Sequence, residues 1–317
     1  MPNGIRAELN GNSGIVILGI FAADMAFAAK RLPHIAETLL GSDFKLGPGG
    51  KGSNQAIAAA KAGGKVTFIS RVGKDPFGEI ALSAYAAAGV NASVLQMEGV
   101  STGAAFIFVN EDNGENAIIV APGAAGLIGI EDVEANRAHI EKAAIFMTQL
   151  EQPLEAAIHG LRIARSAGVT TVFNPAPAQT IPDEIYALCD FVVPNEVEVA
   201  HIVGHAVETD DQARAAGDIL LQKGAGCAII TLGARGALYH TARQSEFIPA
   251  LSAGKVVDTT GAGDAFLGGF AAALSEERAP AEAVRFGCAT AAIAVTRPGT
   301  APAMPLRTEI DELLSSS

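Results

Sequence analysis

The alternation of short apolar runs with longer segments of helical periodicity constrains the fold more than any other feature of this chain. Segments with helical spacing of apolar residues occupy 53–63, 76–89, 153–168 and 210–224. The apolar runs are GIVILGI (14–20), VTFISRVG (66–73), AAIFMTQL (143–150), VTTVFNPA (169–176), DFVVPN (190–195) and CAIITLG (227–233). Uninterrupted apolar strands that alternate with amphipathic helices predict an α/β fold, a doubly wound, mostly parallel sheet with helices on both faces.

Two segments depart from this alternation. Residues 91–121 contain the runs SVLQM, AAFIFVN and ENAIIVA around Asn113-Gly114, a pair that favours a hairpin because it tolerates positive φ. Residues 21–48 are similarly irregular. We interpret both segments, roughly 21–48 and 91–121, as a small antiparallel β lid over the main sheet. Because no repeat or low-complexity linker interrupts the chain, we expect residues 1–317 to form a single α/β domain.

Charge and composition restrict the classes of partner. The net charge is -12, with 22 Lys+Arg against 34 Asp+Glu and no basic run, so we expect small ligands and no nucleic acid. The three cysteines have no paired spacing, and the N-terminal stretch MPNGIRAELNGNSG lacks a signal-peptide pattern. There is also no run of 18 apolar residues that could cross a membrane. These features together favour a cytoplasmic location without membrane association.

The stretch DTTGAGDAF, residues 258–266, has the composition of an anion-binding turn. Gly261, Ala262 and Gly263 allow backbone N–H groups to converge, and the helical pattern that follows adds the positive end of a helix dipole. Asp264 would lie at the start of that helix. Its carboxylate is either a helix cap, which stabilises a helix by about 1 kcal/mol, or a base beside the anion site. The stretch alone does not distinguish the two.

A second glycine-rich run, GPGGKGSNQAIAAAKAG at 47–63, lacks the spacing of a Walker P-loop. In one interpretation, Gly49 and Gly50 let the backbone approach a polar ligand, to which Lys51 and Asn54 offer donors. In the other, the glycines form a simple turn and Asn54 caps the following helix.

Several polar side chains follow predicted strands. Ligands of parallel α/β sheets bind beyond the carboxyl ends of the strands, where these side chains would share one rim. They are Asp24, Glu151, Asn195, Glu196 and Glu198. Each alone is compatible with a cap or a solvated turn, whereas a shared pocket would give them a function.

Two further patterns are weaker. The run ITLGARGALYH, residues 230–240, is compatible with a plain hairpin or with a backbone cradle for a nucleotide phosphate. His201 and His205 are four residues apart, but the glutamate of the zinc-binding helix motif is missing between them. We therefore expect no zinc site there.

Five stretches occur in the order and spacing of the ribokinase-like sugar kinases, also called the phosphofructokinase B family. They are GPGGKGSNQAIAAAKAG, NPAPA (174–178), VPNEVE (193–198), TLGARG (231–236) and DTTGAGDAF. The GGKG form, with FIFVNEDNGENAIIV and AAIAVTRPGTAPAMP, resembles the ribokinase branch rather than the adenosine kinase or fructokinase branches. This resemblance implies a ribokinase-like fold and ATP-dependent phosphorylation of the primary 5-hydroxyl of D-ribose. A kinase for another sugar or a nucleoside, and a non-catalytic sugar or nucleotide sensor, are the alternatives.

The resemblance also implies roles for individual residues. Asp264 would be the general base that takes a proton from the sugar hydroxyl, and the turn Gly261, Ala262 and Gly263 would line the anion hole. The positions that match sugar-binding residues are Asp24, Gly50, Lys51, Asn54 and Glu151. The positions that match ATP-binding residues are Asn195, Thr231, Gly233, Gly236, Gly263 and Cys288.

Two metal ions and a dimer are implied in the same way. Glu198, with Asn195, would help to place Mg²⁺ indirectly, through water. The positions that match ligands of an activating K⁺ are Asp258, Thr260, Ala294, Arg297, Gly299 and Ala303. Lid strands with exposed edges favour a homodimer formed through the lid.

The chain departs from the ribokinase pattern at two positions. Ala303 stands where many ribokinases have Ser, and Ala22 stands where they have an Asn that binds sugar hydroxyls. A missing polar partner to a buried hydroxyl costs on the order of 1 to 3 kcal/mol. The alanine at position 22 therefore predicts weakened ribose binding or a different substrate.

Overall fold

The computed structural model describes residues 13–316; most of the N-terminal stretch discussed above, at 1–12, and residue 317 lie outside the described part. The strands of the described part are β1 (Ile15–Leu18), β2 (Ala22–Ala29), β3 (Asp43–Gly49), β4 (Val66–Gly73), β5 (Asn91–Met97), β6 (Thr102–Asn110), β7 (Asn116–Gly123), β8 (Ile145–Thr148), β9 (Thr170–Phe173), β10 (Phe191–Val192), β11 (Cys227–Thr231), β12 (Ala237–His240) and β13 (Ser245–Ile248).

The α-helices of the described part fall mostly between the strands, as the periodicity predicts. They are α1 (Lys51–Lys61), α2 (Pro76–Ala88), α3 (Ile130–Ala135), α4 (Arg137–Glu141), α5 (Leu154–Ala167), α6 (Glu184–Ala187), α7 (Glu196–Val203), α8 (Asp210–Gln222), α9 (Ala262–Ser275), α10 (Pro280–Ala294) and α11 (Arg307–Ser315). None of them is both long enough and apolar enough to cross a bilayer.

The larger sheet has the strand order β13-β12-β11-β10-β9-β8-β1-β4-β5. The strands from β11 to β5 pair in parallel, and β12 and β13 add an antiparallel edge. The predicted doubly wound, mostly parallel sheet is confirmed. Chain order reverses at β1, since β4 and β5 extend to one side and β8 to β11 to the other. A crevice at the carboxyl ends of β1 and β8 is therefore the expected ligand site.

Each face of this sheet carries its own apolar core. Ile15 and Ile17 of β1 pack into one core with α1, α2, α9, α10 and α11. Val16 and Leu18 point to the opposite face and pack into a second core with α3 to α8. Because successive side chains of a strand alternate between the faces, only a continuously apolar strand can serve both cores.

The helix ends carry local signals that are visible in the sequence. Asp75 caps α2 by accepting a hydrogen bond from the backbone N–H of Gly78 at 2.9 Å, and Pro76 occupies the first turn. The same helix ends at Gly89, whose φ of 76° lies in the left-handed region that glycine adopts without strain.

The smaller sheet has four strands in the order β3-β2-β6-β7. The pairs β2–β3 and β6–β7 are antiparallel, whereas β2 and β6 pair in parallel. The predicted hairpin at Asn113-Gly114 is present between β6 and β7, and Gly114 has a φ of 76°. The apolar side chains exposed on this sheet include Phe27, Phe44, Leu46, Ile118, Ile119 and Val120.

The assignment of residues 91–97 to the lid is wrong. These residues form β5, which pairs in parallel with β4 at the edge of the larger sheet, with Thr67 opposite Asn91 and Gly73 opposite Met97. The edge strand β5 is covered incompletely, and none of its residues is fully buried. Its sequence therefore shows the partial alternation that is typical of a half-covered antiparallel strand.

Candidate active site

A cavity of about 140 Å³ opens at the carboxyl edge of the larger sheet, beside the first turn of α9. It brings together residues from both glycine-rich runs and from the segments 174–178, 193–198 and 231–236 that the sequence singles out. Its lining residues are Lys51, Asn174, Val193, Asn195, Glu198, Thr231, Thr259, Gly261, Ala262, Gly263, Asp264 and Leu267.

Close packing of α1 against α9 brings Asp264 to this cavity. A Cβ at Gly268 would lie 2.4 Å from the Cβ of Ala58, so the two helices meet where neither carries a larger side chain. One helical turn earlier, Asp264 on α9 lies opposite Asn54 on α1, because residues four apart share a helix face. The glycine at position 268 thus determines which side chains of α1 reach Asp264.

The carboxylate of Asp264 is bound by α1. Its Oδ2 accepts a hydrogen bond from Nδ2 of Asn54 at 3.1 Å, and its Oδ1 accepts one from Nε2 of Gln55 at 3.0 Å. The N-cap residue of α9 is instead Gly261, with a φ of 76°. Both carboxylate oxygens are therefore engaged across the helix interface, in a residue that is only 8% exposed, which argues against the helix-cap interpretation.

Burial raises the pKa of Asp264, while Lys51 and the amides of Gln55 and Asn54 act in the opposite direction. The pKa of Lys51 depends on the same surroundings. Burial lowers its pKa, but Asp264, Glu151 and Glu198 together outweigh burial and raise it. The site therefore holds a protonated lysine among carboxylates that accept protons more readily than they would in water.

The predicted sugar-binding residues meet at one rim. The backbone N–H of Lys51 donates to Oε2 of Glu151 at 2.7 Å. Burial raises the pKa of Glu151 to about 7, against the effect of Lys51, and burial together with Asp264 raises that of Asp24 to about 6. Three carboxyl groups and one ammonium group thus lie close enough to interact electrostatically, and this mixture of donors and acceptors suits a polyhydroxylated ligand.

Glycines make this rim possible. A Cβ at Gly49 would lie 2.2 Å from the carboxylate of Asp24, so a side chain at this position of β3 would displace that carboxylate. Gly50 has a φ of 90°, and a Cβ on it would lie 2.6 Å from the carbonyl oxygen of Ile20. Both glycines thus allow close contact with neighbouring protein atoms, and the approach of this backbone to a polar ligand stays a prediction.

Asn195 and Glu198 form a reciprocal cap at the start of α7. The backbone N–H of Glu198 donates to Oδ1 of Asn195 at 2.8 Å, and that of Asn195 donates to Oε2 of Glu198 at 2.9 Å. Burial raises the pKa of Glu198, although Asn195 and Lys51 oppose this effect. The two residues are caps, as the simpler interpretation has it, and they also line the cavity.

Of the predicted nucleotide-binding residues, Asn195, Thr231 and Gly263 line the cavity, whereas Gly233, Gly236 and Cys288 do not. Thr231 lines the cavity and forms a parallel β-bridge with Asn195. The segment that follows is a hairpin, in which the N–H of Leu232 donates to the carbonyl oxygen of Gly236. Gly233 and Gly236 both have positive φ there, 56° and 96°. Cys288 is buried in α10 and is not among the lining residues.

The loop of Asp258 joins the loop that follows α10. Oδ1 of Asp258 accepts from the N–H of Thr260 and Oδ2 from the N–H of Gly299, both at 2.9 Å. The side chain of Arg297 turns away to pair with Glu309. The other two predicted K⁺ positions are the buried residues Ala294, at the end of α10, and Ala303, in a short 3₁₀ turn.

No group of three or more His, Cys, Asp and Glu side chains in the described part could hold a metal ion. His201 lies in α7, and Gly204 ends that helix in the left-handed conformation before His205. All three cysteines are free and buried.

Three polar residues of the site were not predicted. Gln55 contacts Asp264, Asn174 lines the cavity, and Gln149 donates to Oε1 of Gln55 at 2.5 Å. Gln149 and Asn174 directly follow the apolar runs of β8 and β9, so their strand-end position was an available signal. Gln55 is recognisable only as a long amide in an otherwise small and apolar stretch of α1.

Comparison with known proteins agrees with this architecture. The sequence profile of the pfkB family carbohydrate kinases matches residues 12–307. The chain is 38% identical to the ribokinase of Haemophilus influenzae over 95% of its own length and 98% of that protein. It is 36% identical to the deoxyribokinase of Salmonella typhimurium, again over 95% and 98% of the two chains.

Among solved structures, the chain resembles Arabidopsis thaliana ribokinase complexed with ribose and ATP. The TM-score is 0.90 at 30% identity, over 96% of this chain and 100% of that one. This chain belongs to the pfkB family of carbohydrate kinases. The resemblance that the five sequence motifs indicate is thus confirmed.

Proposed function

We propose that the protein transfers the γ-phosphoryl group of ATP to the 5-hydroxyl of D-ribose, giving ribose 5-phosphate and ADP. The observation that carries the proposal is the position of Asp264, which lies between the N-terminus of α9 and the rim of Asp24, Lys51 and Glu151. The similarity to a ribokinase that was solved with ribose and ATP supports the choice of both substrates.

Asp264 acts as the general base in this proposal. The sugar hydroxyl gives its proton to the carboxylate as its oxygen attacks the γ-phosphorus, and the bond from that phosphorus to the bridging oxygen of ADP breaks. The backbone N–H groups of Gly261, Ala262 and Gly263, at the positive end of the α9 dipole, stabilise the charge on the migrating phosphoryl group. Lys51 offsets the negative charge of the surrounding carboxylates.

ATP lies along the other side of the cavity, and Mg²⁺ accompanies it. We assign ATP binding to Asn195, Thr231 and Gly263, which line the cavity, and to Gly233, Gly236 and Cys288, which lie outside its lining. Glu198 would hold a hydrated Mg²⁺ through water, because its carboxylate lines the cavity and supplies the oxygen atoms that Mg²⁺ prefers as ligands. When bound, Mg²⁺ neutralises charge on the phosphates of ATP.

A K⁺ site is proposed at the junction of the two loops behind the anion hole. Asp258, whose hydrogen bonds to the N–H groups of Thr260 and Gly299 outweigh burial and lower its pKa, supplies an ionised carboxylate. Carbonyl oxygens would complete the site, and they come from Thr260, Ala294, Arg297, Gly299 and Ala303. K⁺ would stabilise the loop that ends in the anion hole.

We further propose that the four-stranded sheet is a lid, that residues 1–317 act as one kinase domain, and that the protein is a cytoplasmic homodimer. Phe44 on β3 and Ile119 on β7 are 51% and 69% exposed, on opposite edge strands of the lid. Exposed apolar side chains on an unpaired edge favour association of two lids.

A second candidate substrate is a sugar that lacks one of the ribose hydroxyls. Ala22 is buried, with 3% exposure, and its methyl group cannot hydrogen-bond a hydroxyl in the position that Asn serves in the ribokinase pattern. The similarity to a deoxyribokinase favours 2-deoxyribose over nucleosides and hexoses as this second candidate. A non-catalytic sensor is disfavoured, because binding alone does not require a buried carboxylate such as Asp264 next to the anion hole.

Initial rates of ADP release test the proposal. The panel comprises ribose, 2-deoxyribose, hexoses and nucleosides, each measured with and without K⁺. We expect the highest kcat/KM with ribose and stimulation by K⁺. Higher kcat/KM with 2-deoxyribose would select the second candidate, and an absence of turnover with every sugar would contradict the kinase assignment.

A further inference from the structure

A continuous set of side-chain hydrogen bonds surrounds the carboxylate of Asp264. Gln55 is fully buried, and its Nε2 donates to Oδ1 of Asp264 at 3.0 Å. Its Oε1 accepts from Nε2 of Gln149 at 2.5 Å. Nε2 of Gln55 also lies 3.4 Å from Oδ1 of Asn174, whose own Nδ2 donates to the carbonyl oxygen of Val193 at 2.8 Å.

These partners allow only one orientation of the Gln55 amide. If the amide were flipped, its oxygen would face the carboxylate of Asp264, and its NH₂ group would face the NH₂ group of Gln149. Two acceptors and two donors would then oppose each other in a fully buried place, where an unmade hydrogen bond costs about 1 to 3 kcal/mol. Asp264 and Gln149 together therefore select the orientation in which the donor of Gln55 is directed at Asp264.

The same network reaches the Mg²⁺ side of the site. Nδ2 of Asn174 lies 3.4 Å from Oε2 of Glu198, so a short series of amides connects the carboxylates of Asp264 and Glu198. The α1–α9 contact at Gly268 holds the backbone on which Gln55 is carried. Gln55 and Gln149 have no exposed surface, so water does not replace a partner that either of them loses.

We propose that Gln55 is a positioning residue, which holds the carboxylate of Asp264 ionised and oriented for proton abstraction, and that Gln149 fixes Gln55 for that task. The inference rests on the proposed function. With Oδ1 held by Gln55 and Oδ2 by Asn54, the carboxylate cannot rotate without breaking a hydrogen bond. A base that is already oriented when the sugar binds does not spend free energy on reorienting.

Other charged groups face Asp264 as well, and the test has to separate them from Gln55. Lys51 comes from α1, Asp24 from β2, Glu151 from the end of β8 and Glu198 from α7. None of these groups changes when Gln55 alone is replaced. A shift that follows the Gln55 side chain is therefore attributable to its own contact with Asp264.

The experiment measures kcat, KM and the pH profile of kcat in Gln55→Glu and Gln55→Leu. Gln55→Glu keeps the shape of the side chain but puts a second carboxyl group against Oδ1 of Asp264. The acidic limb of the pH profile of kcat should therefore move to higher pH by about one unit. Gln55→Leu removes the donor, and kcat should fall on the order of 10- to 100-fold with little change in the KM for sugar.

Gln152→Leu is the matched control. Gln152 is a buried glutamine in the same neighbourhood, and its Nε2 donates to Oγ1 of Thr148 and to the carbonyl oxygen of Gln149. Its loss should leave the pH profile unchanged and kcat within about threefold of the unsubstituted protein.

An unshifted acid limb in Gln55→Glu, together with equal kcat in the Gln55→Leu and Gln152→Leu variants, would overturn the inference and leave the kinase assignment intact. An unsubstituted protein that phosphorylates no sugar would overturn both. If Gln55→Leu fails to fold, the pH profile of the isosteric Gln55→Glu still decides.

Discussion

Replacing Glu151 by Gln should make the protein more stable at alkaline pH and leave it nearly unchanged at acidic pH. Burial raises the pKa of this carboxyl group from an ordinary 4.5 to about 7. The folded protein therefore binds the proton more tightly than the unfolded chain does. Between these two pH values, the free energy of unfolding falls as the pH rises, because the group must lose its proton in an environment that disfavours the charge.

The size of the effect follows from the two pKa values. The difference between 4.5 and about 7 corresponds to about 3 kcal/mol at a pH above both values. Glutamine has nearly the same shape, carries no charge, and can still accept the hydrogen bond from the N–H of Lys51. The stabilisation by Glu151→Gln should thus grow from near zero at pH 4.5 to about 3 kcal/mol at pH 8.

Urea unfolding of the ligand-free protein at several pH values between 4.5 and 8 measures this difference directly. Glu155→Gln, at an exposed position at the start of α5, is the control, and its effect should stay within about 0.5 kcal/mol at every pH. A Glu151→Gln effect that is independent of pH, or that becomes destabilising toward pH 8, would refute the assignment of a raised pKa to Glu151.

Two further substitutions test the backbone contacts that build the site. Gly268→Ala puts a Cβ 2.4 Å from α1, so the helices must separate by about 1 Å and displace Asp264; kcat should fall on the order of 10- to 100-fold. Steady-state kinetics showing an unaltered kcat would contradict this account of the helix contact. Gly49→Ala puts a Cβ 2.2 Å from the Asp24 carboxylate, and the KM for sugar should rise at least about tenfold. Gly47→Ala meets nothing within 4 Å and should leave the KM unchanged; an equal KM in both variants would exclude Asp24 from sugar binding.

Much of the fold could be predicted because its signals are local. The apolar runs of β1, β8 and β9 and the helix pattern of α5 each occupy a continuous stretch of sequence. Glycines at helix ends, such as Gly89 and Gly168, mark boundaries for a conformational reason. The strand β5 could not be placed, since an incompletely covered parallel edge strand and a lid strand have the same one-sided pattern.

The candidate site was predictable where chain position carries the chemistry. Asp264 follows its glycine turn directly, and Glu151 follows a strand at the sheet edge. Gln55 was not predictable, because its contact with Asp264 joins residues 209 positions apart. That contact depends on the α1–α9 crossing at Gly268, which no local pattern in either helix reports.

The central claim is that Asp264 is the general base. It is tested most directly by measuring ribose turnover in the Asp264→Asn variant together with the binding of ribose and ATP. Asparagine keeps the shape of the side chain but cannot accept the proton of the attacking hydroxyl. We predict that kcat falls about 10²- to 10⁴-fold, while calorimetric affinities for ribose and ATP stay within about threefold of those of the unsubstituted protein. A kcat that remains within about threefold would contradict the role of Asp264 as the base.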